Sequence, residues 1–505
     1  MNQNIENIVI VGGGSAGWMT AAMLAKQLNK SINITLVESE EIGTIGVGEA
    51  TIPPIRHFNQ LLGVEENDFL AKCNGSIKLG IEFENWGAIG DKYMHPFGSF
   101  GVDFDYMPFP YFWLQQKLTD QVSDLQSFSL AWQLAQQNKF LPPNGKASSL
   151  GNQHDYAYHF DATLYVQFLK RFTEKLGVNR IEGKVTQVTI NPDNQFIDAV
   201  KLQSGQIIEG DLFIDCSGQH GLLLDKTYGV EFEDWSPFLL NDSAVAVQSA
   251  HLSALKPYTR SIAHEAGWQW RIPLQHRTGN GLVYCERYLG RDEAAERLLA
   301  NVEGETLTDP LHIRFHTGAR RKQWHKNCVV VGLAGGFMEP LESTSIHLIQ
   351  KSIMRLVRLL PTTHLVDADI REFNDQTYED MITIRDFLIL HYHVTERRDS
   401  AFWRFCAEME IPDSLQQKID LFCESARVFR KGEELFAENS WTQVMMGQGL
   451  EPKSYHPIAD KMTDDELTYF LNQIKADASR AAARLPKHEE YIRQYCASAD
   501  VMEMA

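Results

Sequence analysis

The sequence predicts an α/β fold in which a Rossmann-type N-terminal unit carries an inserted, mainly β region and is followed by a helical C-terminal part. Three observations predict it. Residues 8–37 read as strand, glycine turn, helix and strand. Residues 184–213 read as strands and hairpins: Val185–Ile190, Phe196–Val200, then Ile207 and Ile208. From about residue 362 the character is mostly helical, with charged faces and large aromatics such as Phe387, Phe402, Trp403 and Phe405. The expected division is a body over 1–360 and a mainly helical domain over 361–505, with the 465–496 helices packing back on the body.

The first element is the most specific. A short β-branched run, Ile8–Val11, passes directly into Gly12-Gly13-Gly14-Ser15-Ala16-Gly17. Trp18–Leu28 then holds helix formers without Pro or Gly, and Ile32–Val37 alternates before Glu38. Gly12 permits the tight turn, and Gly14 lets backbone N–H groups approach a pyrophosphate. Gly17 allows close helix–sheet packing, while Ser15 and Ala16 open a helix whose positive end faces that negative charge. Glu38 lies 21 residues after Gly17, where a carboxylate can accept a ribose hydroxyl. A dinucleotide site follows; FAD and a nicotinamide nucleotide both stay open on the glycine loop alone.

Two later segments bear on that choice. Asp211–Ser217 reads as a strand followed by Gly218 and Gly221, and Cys328–Val331 as a strand followed by Gly332-Leu333-Ala334-Gly335-Gly336. A second glycine-bounded strand end far downstream suits a long flavin cofactor held at both ends; an ordinary β-turn is the alternative for each. Beyond it, Ile346, Ile349, Ile353, Leu356, Val357 and Leu360 recur at helical spacing up to Pro361. Ser343 or Thr344 is the expected N-cap. Such a junction suits an anion or a flavin ring edge, or is a plain cap.

Composition narrows the function classes. Over 505 residues, 47 Lys and Arg stand against 66 Asp and Glu, a net charge of −19. Without a basic block interleaved with aromatics, this argues against nucleic-acid binding. The seven cysteines have no CxxC spacing, which suits a reducing compartment and predicts neither a disulfide framework nor a metal site. The polar N-terminus lacks a secretory signal and no run reaches 18 apolar residues, so the expected location is the cytoplasm, with no membrane span.

The residues also carry a family likeness. The glycine loop continues as Trp18-Met19; Gly46-Val47-Gly48-Glu49-Ala50-Thr51-Ile52-Pro53 forms a second stretch; Trp268-Gln269-Trp270-Arg271-Ile272-Pro273 fits a WxWxIP signature; and Glu339-Pro340-Leu341-Glu342-Ser343-Thr344 forms a fourth. In this order the four motifs resemble the flavin-dependent halogenases of the tryptophan-halogenase family, over roughly residues 5–360.

The resemblance implies FADH2-dependent halogenation of a small electron-rich aromatic, indole-like, through a flavin hydroperoxide and hypohalous acid directed by a lysine. It implies FAD used as FADH2, a separate NAD(P)H-dependent flavin reductase as partner, and chloride or bromide as halide. Lys78 looks like the catalytic lysine and Glu342 like the active-site glutamate. Ala50, Gly332 and Gly336 join the glycine loop and Glu38 on the cofactor side. Thr344 and Ser345 take the halide positions, Ser345 standing where tryptophan-specific members commonly have Gly. His95 and Phe97 resemble residues of the aromatic substrate site; Trp268, Trp270, Ile272 and Pro273 would wall a passage that keeps an organic substrate from the flavin. Residues 440–449 and Tyr455-His456-Pro457 give no positional match to the family's amino-acid clamp. An FAD-dependent aromatic monooxygenase and a non-catalytic flavin-binding protein are the alternatives. By local pattern alone, Lys78 reads as a solvent-facing strand residue, and Trp268 and Trp270 as packing on one face of a strand.

Overall fold

The strand Asn7–Val11 lies inside a six-stranded sheet of order 324–325, 328–330, 212–215, 7–11, 33–38, 179–182, parallel except at the 324–325 edge. This computed structural model describes residues 5–28, 32–42, 48–104, 107–119, 122–143, 150, 153–251, 254–361 and 364–499. Parallel strands covered on both faces need continuous apolar runs, and Ile8–Val11, Leu212–Ile214 and Cys328–Val330 supply them, all buried. Val11 pairs with Asp215, and Asp215 with Val330, so the carboxyl ends of three strands are level. The loops that follow, at Gly12–Gly17, 217–221 and 332–336, therefore gather at one sheet edge, where doubly wound folds bind their ligands.

The hairpin region 184–213 folds as expected, into an antiparallel sheet of Val185–Ile190, Ile197–Leu202 and Ile207–Glu209. The rest of the inserted β region is a seven-stranded sheet of order 311–314, 243–249, 278–284, 267–273, 259–264, 80–84, 92–96. A small third sheet sets Gly48–Ala50 and Ser76–Lys78 on either side of Ala157–Asp161.

The helix Ser345–Leu359 covers the parallel sheet and stops before Pro361. The long helix Asp367–His393 packs beside it and over the seven-stranded sheet, and five further α-helices follow among the described residues. The last, His488–Tyr495, does pack back on the body: His488, fully buried, accepts the Ile77 backbone N–H at 3.2 Å. No helix of the described residues is long and apolar enough to cross a membrane. All seven cysteines are free thiols.

Candidate active site

On the cofactor side the glycines separate by what a side chain would meet. A Cβ on Gly12, at φ +119°, would lie 2.2 Å from the Cys216 carbonyl oxygen, and one on Gly17 1.9 Å from that of Gly12. These two are demanded by the fold. Gly14 has nothing within 4 Å. It caps the helix Ser15–Gln27 without a side-chain hydrogen bond, and the first turn has no acid. The helix N–H groups of Ser15, Ala16 and Gly17 thus face open space with positive polarity, which fits an FAD pyrophosphate.

Glu38 reaches back over Gly13, where a Cβ would touch its Oε2 at 1.9 Å. Its carboxylate accepts from Trp18 Nε1 at 3.1 Å, from Lys170 Nζ at 3.2 Å and from Arg180 Nε. Burial opposes its ionisation, but Arg180, Trp18 and Lys170 outweigh that and lower its pKa. Gly332, at φ +86°, abuts Ala16 at the head of the same helix, its Cβ position 2.9 Å from the Ala16 Cβ. Gly336 differs from the sequence expectation in its reason: a Cβ there would strike the Gly318 carbonyl at 2.5 Å and Met381 at 2.7 Å, so protein packing already accounts for the glycine. Ala50 is buried at the end of its strand; Gly46 and Val47 of the same motif lie outside the described residues.

Lys78 overturns the solvent-facing expectation. It is 0 % exposed. Its strand is pinned on several sides: Ser76 donates to the Pro273 carbonyl at 2.6 Å and lies 3.0 Å from His159 Nδ1, while the Ile77 N–H goes to His488. The end of the WxWxIP strand is thereby tied to the lysine strand. Lys78 Nζ donates to Ser343 Oγ at 2.8 Å and lies 5.3 Å from the Phe97 ring centre. Burial pulls its pKa down to about 7, against the opposing pull of Glu342.

Of the two N-cap candidates, Thr344 takes the cap position, with no side-chain cap bond, while Ser343 adopts φ +59° and turns its hydroxyl to Lys78. Without an acid in the first turn, the helix Ser345–Leu359 presents its N-terminal polarity, with Ser345 as first residue, beside Lys78 and Glu342. That is an arrangement able to hold an anion.

Glu342 is also 0 % exposed. His95 Nδ1 lies 3.0 and 3.1 Å from its two oxygens, and His391 Nε2 lies 3.0 Å from Oε1. Burial alone would raise its pKa; His95 and His391 reverse this and hold it at about 2. Glu339, in the same loop, accepts from Asn241 at 2.7 Å and from the Tyr392 hydroxyl. Consecutive residues of one helix end, His391 and Tyr392, therefore hold the two carboxylates of the loop.

Aromatic side chains complete the surroundings. Phe387 stacks on Phe436 with centres 3.8 Å apart and meets Trp441 at 4.8 Å, while His95 lies 5.8 and 6.1 Å from Phe387 and Phe436. Trp268 and Trp270 are both buried with centres 6.2 Å apart, and Ile272 packs toward Gly48. The structure thus joins Lys78, Glu342, His95, Phe97, Thr344 and Ser345 in one place, with Pro273 linked to it through Ser76. Sequence reasoning missed Ser343, His391, His159, His488, Phe436 and Trp441. Ser343 lay inside a recognised motif. The others had no local signal, since buried histidines and aromatics look like packing.

A model of the tryptophan halogenase family matches residues 7–464. Tryptophan 7-halogenase RebH of Lentzea aerocolonigenes is 33 % identical over 98 % of this chain and 99 % of its own. 7-Chloro-L-tryptophan 6-halogenase KtzR of Kutzneria sp. is 38 % identical over 96 % and 98 %. Among solved structures, a flavin-dependent halogenase from Xanthomonas campestris is 48 % identical with a TM-score of 0.95, covering 98 % of this chain and 99 % of that one. BrvH, a flavin-dependent halogenase from Brevundimonas sp. BAL3, is 41 % identical with a TM-score of 0.94, covering 97 % and 99 %. With the cofactor edge, the buried lysine and the clamped glutamate in place, the chain belongs to the tryptophan halogenase family of flavin-dependent halogenases.

Proposed function

We propose that this chain halogenates a small electron-rich aromatic, indole-like, using reduced FAD delivered by a separate NAD(P)H-dependent flavin reductase. The observation that carries the reading is the buried Lys78–Ser343–Glu342 cluster, set at a helix N-terminus and bordered by aromatic rings.

The chemistry a bound, reduced flavin supplies is the two-electron activation of O2 that converts halide and a proton to hypohalous acid and water. FAD would be held by the N–H groups of Ser15, Ala16 and Gly17 beside open Gly14, with Glu38 near the ribose and Ala50 and Gly332 alongside. Thr344 and Ser345 would hold the halide at the start of their helix. The serine keeps the backbone N–H that a glycine would offer and adds a hydroxyl beside it.

A lysine with pKa about 7 has a large neutral fraction at neutral pH. A neutral amine can hydrogen-bond the oxidant, or take its halogen as a haloamine with release of water. The arene attacks that electrophilic halogen, gaining positive charge. Glu342, as a carboxylate, would stabilise that charge and accept the ring proton. Buried Trp268 and Trp270 would keep the organic substrate away from the flavin. Around Phe387, Phe436 and Trp441 the cation Lys418 is already paired with Glu434 at 3.0 Å. This supports an uncharged, flat substrate over one requiring an ionic clamp.

The test pairs the chain with a flavin reductase and screens indoles, tryptophan and phenols against chloride and bromide by mass spectrometry. Halide-dependent mass shifts are expected; oxygen addition without halide would instead mark an aromatic monooxygenase.

A further inference from the structure

Side chains alternate between the two faces of a strand. Trp268, Trp270 and Ile272 share one face of the strand 267–273, so Arg271 and Pro273 stand on the other. Register sets Asn280, Arg271, Arg260 and Glu82 directly opposite one another on four adjacent strands. This polar row therefore crosses the sheet face turned away from the tryptophans. A cleft lies over it, enclosing about 550 Å³ up to its open mouth, within the range of small-molecule sites. Its lining includes Lys256, Tyr258, Arg260, Arg271, Asn280 and Glu303.

Two polar atoms of this row are buried without a partner. Asn280 is 2 % exposed. Its Nδ2 donates to Ser249 Oγ at 3.0 Å and to the Thr278 carbonyl oxygen at 3.3 Å. A carbonyl only accepts, so the orientation of the amide is fixed and Oδ1 is the free acceptor. It has no partner. On the residue directly opposite, Arg271 gives Nη1 to Glu303 and Nη2 to the Asn301 carbonyl oxygen, while its buried Nε–H has no partner. A bare acceptor and a bare donor thus stand on paired residues, an arrangement that is costly unless something brings the complementary groups.

Water can pair with both atoms, but it does not answer the charge. Lys256, Arg260 and Arg271 line the cleft against one carboxylate, Glu303. Arg260 is shared between Glu303 at 3.1 Å and Glu84 at 2.5 Å, one strand further along the row, with Glu82 at 3.7 Å. Arg271 leans on the same Glu303. Lys256 rests 5.9 Å from the centre of the Tyr258 ring without a carboxylate partner. In a chain of net charge −19 this end of the row is a cationic recess, which favours an anion. We propose that it is a second ligand site, for a small carboxylic acid with a hydroxyl on the carbon next to the carboxylate. The carboxylate meets Arg271 Nε and Lys256, and the hydroxyl donates to Asn280 Oδ1. The short apolar body lies against Tyr258. An amine in place of the hydroxyl fits less well, because it sets a further cation beside Arg271 and Lys256.

The test is ligand-observed NMR on the full, FAD-loaded chain in low-salt buffer, with lactate as the probe and propionate as the same carbon chain without the hydroxyl. Lactate is expected to bind, and propionate about fivefold more weakly for want of one hydrogen bond. Lys256→Glu, a change at the half-buried edge of the cleft, should weaken lactate binding by about tenfold or more. Asn280→Ala should erase the preference for lactate over propionate. If that buried variant does not fold, a parent crystal soaked in lactate answers instead, with density expected between Arg271 and Asn280. Lys78→Ala should bind lactate as the parent does. No binding of lactate, equal binding of propionate, binding untouched by Lys256→Glu, or binding lost in Lys78→Ala each overturns the proposal.

Discussion

Lys78 Nζ donates to Ser343 Oγ at 2.8 Å, across 265 residues of sequence, and the serine holds φ +59° to meet it. A left-handed non-glycine residue costs about 1–2 kcal/mol, so the contact is built against a local penalty. Removing the amine should expose what it does. Lys78→Ala is expected to lower arene product by about two to four orders of magnitude, while FAD affinity and reductase-coupled oxygen consumption persist. Lys78→Arg should do no better, because a guanidinium stays charged. Product from either variant at the parent rate, with saturating reduced flavin, would remove Lys78 from the mechanism.

The serine permits a cleaner separation of strain from function. Ser343→Gly relieves the left-handed penalty, partly offset by glycine's greater freedom when unfolded. Thermal stability should therefore change little, the relieved strain being offset by the hydrogen bond lost to buried Lys78, worth about 1–3 kcal/mol. Product formation should fall about tenfold, since the hydroxyl that fixes Lys78 Nζ is gone. Equal losses of stability and activity in denaturation and turnover assays would make Ser343 only a structural residue.

Burial of Lys78 also predicts a pH dependence of stability. Its pKa is about 7 folded, against 10.5 for the free side chain. Above about 10.5 both states are neutral and the lysine contributes nothing. Between about 10.5 and 7 the unfolded chain binds a proton that the folded one lacks, so stability falls by about 1.4 kcal/mol per pH unit as pH drops. Below about 7 both are protonated and the penalty is constant. Lys78→Met should thus be more stable than the parent near neutral pH, and its advantage should shrink by about 2–3 kcal/mol between about pH 7 and pH 9. Denaturant titrations at the two pH values measure this directly; an advantage independent of pH would mean that folding does not lower the proton affinity of the amine.

How much of this was legible in the sequence follows from how local each signal is. Gly14 and Gly17 act within a few residues, so their turn and helix could be read directly, while Gly12 is also imposed by the Cys216 carbonyl of a distant strand; Asp215 and Val330 do lie level with Val11. Gly336 was read toward the cofactor, whereas Gly318 and Met381, both distant or helical, impose the glycine. Lys78 lay in an unremarkable Ile-Lys-Leu run; its burial depends on Ser343, His159 and His488, brought in from three other segments. Of the two expected caps, Thr344 takes the position, and Ser343 turns to Lys78 for the same reason. A helix start can be read from sequence, but a lysine 265 residues away that competes for the hydroxyl cannot.

Gly281 offers a last prediction, linking the β insertion to reaction control. It lies opposite Trp270 on the neighbouring antiparallel strand. A Cβ there would lie 2.0 Å from the Trp270 ring carbon Cζ2, so the indole rests flat on the glycine. Alanine must push that ring aside in a closely packed wall, at a cost of about 1–3 kcal/mol. The displaced ring should also loosen the barrier that Trp268 and Trp270 are proposed to form between the flavin edge and the arene. Gly281→Ala is therefore expected to remain folded with lowered melting temperature, to consume reduced flavin as before, and to yield less arene product per flavin oxidised. The ratio of halogenated product to hydrogen peroxide and escaped hypohalous acid measures it. A variant that loses stability but keeps the parent ratio would show that Trp270 packs the sheet without guarding the passage.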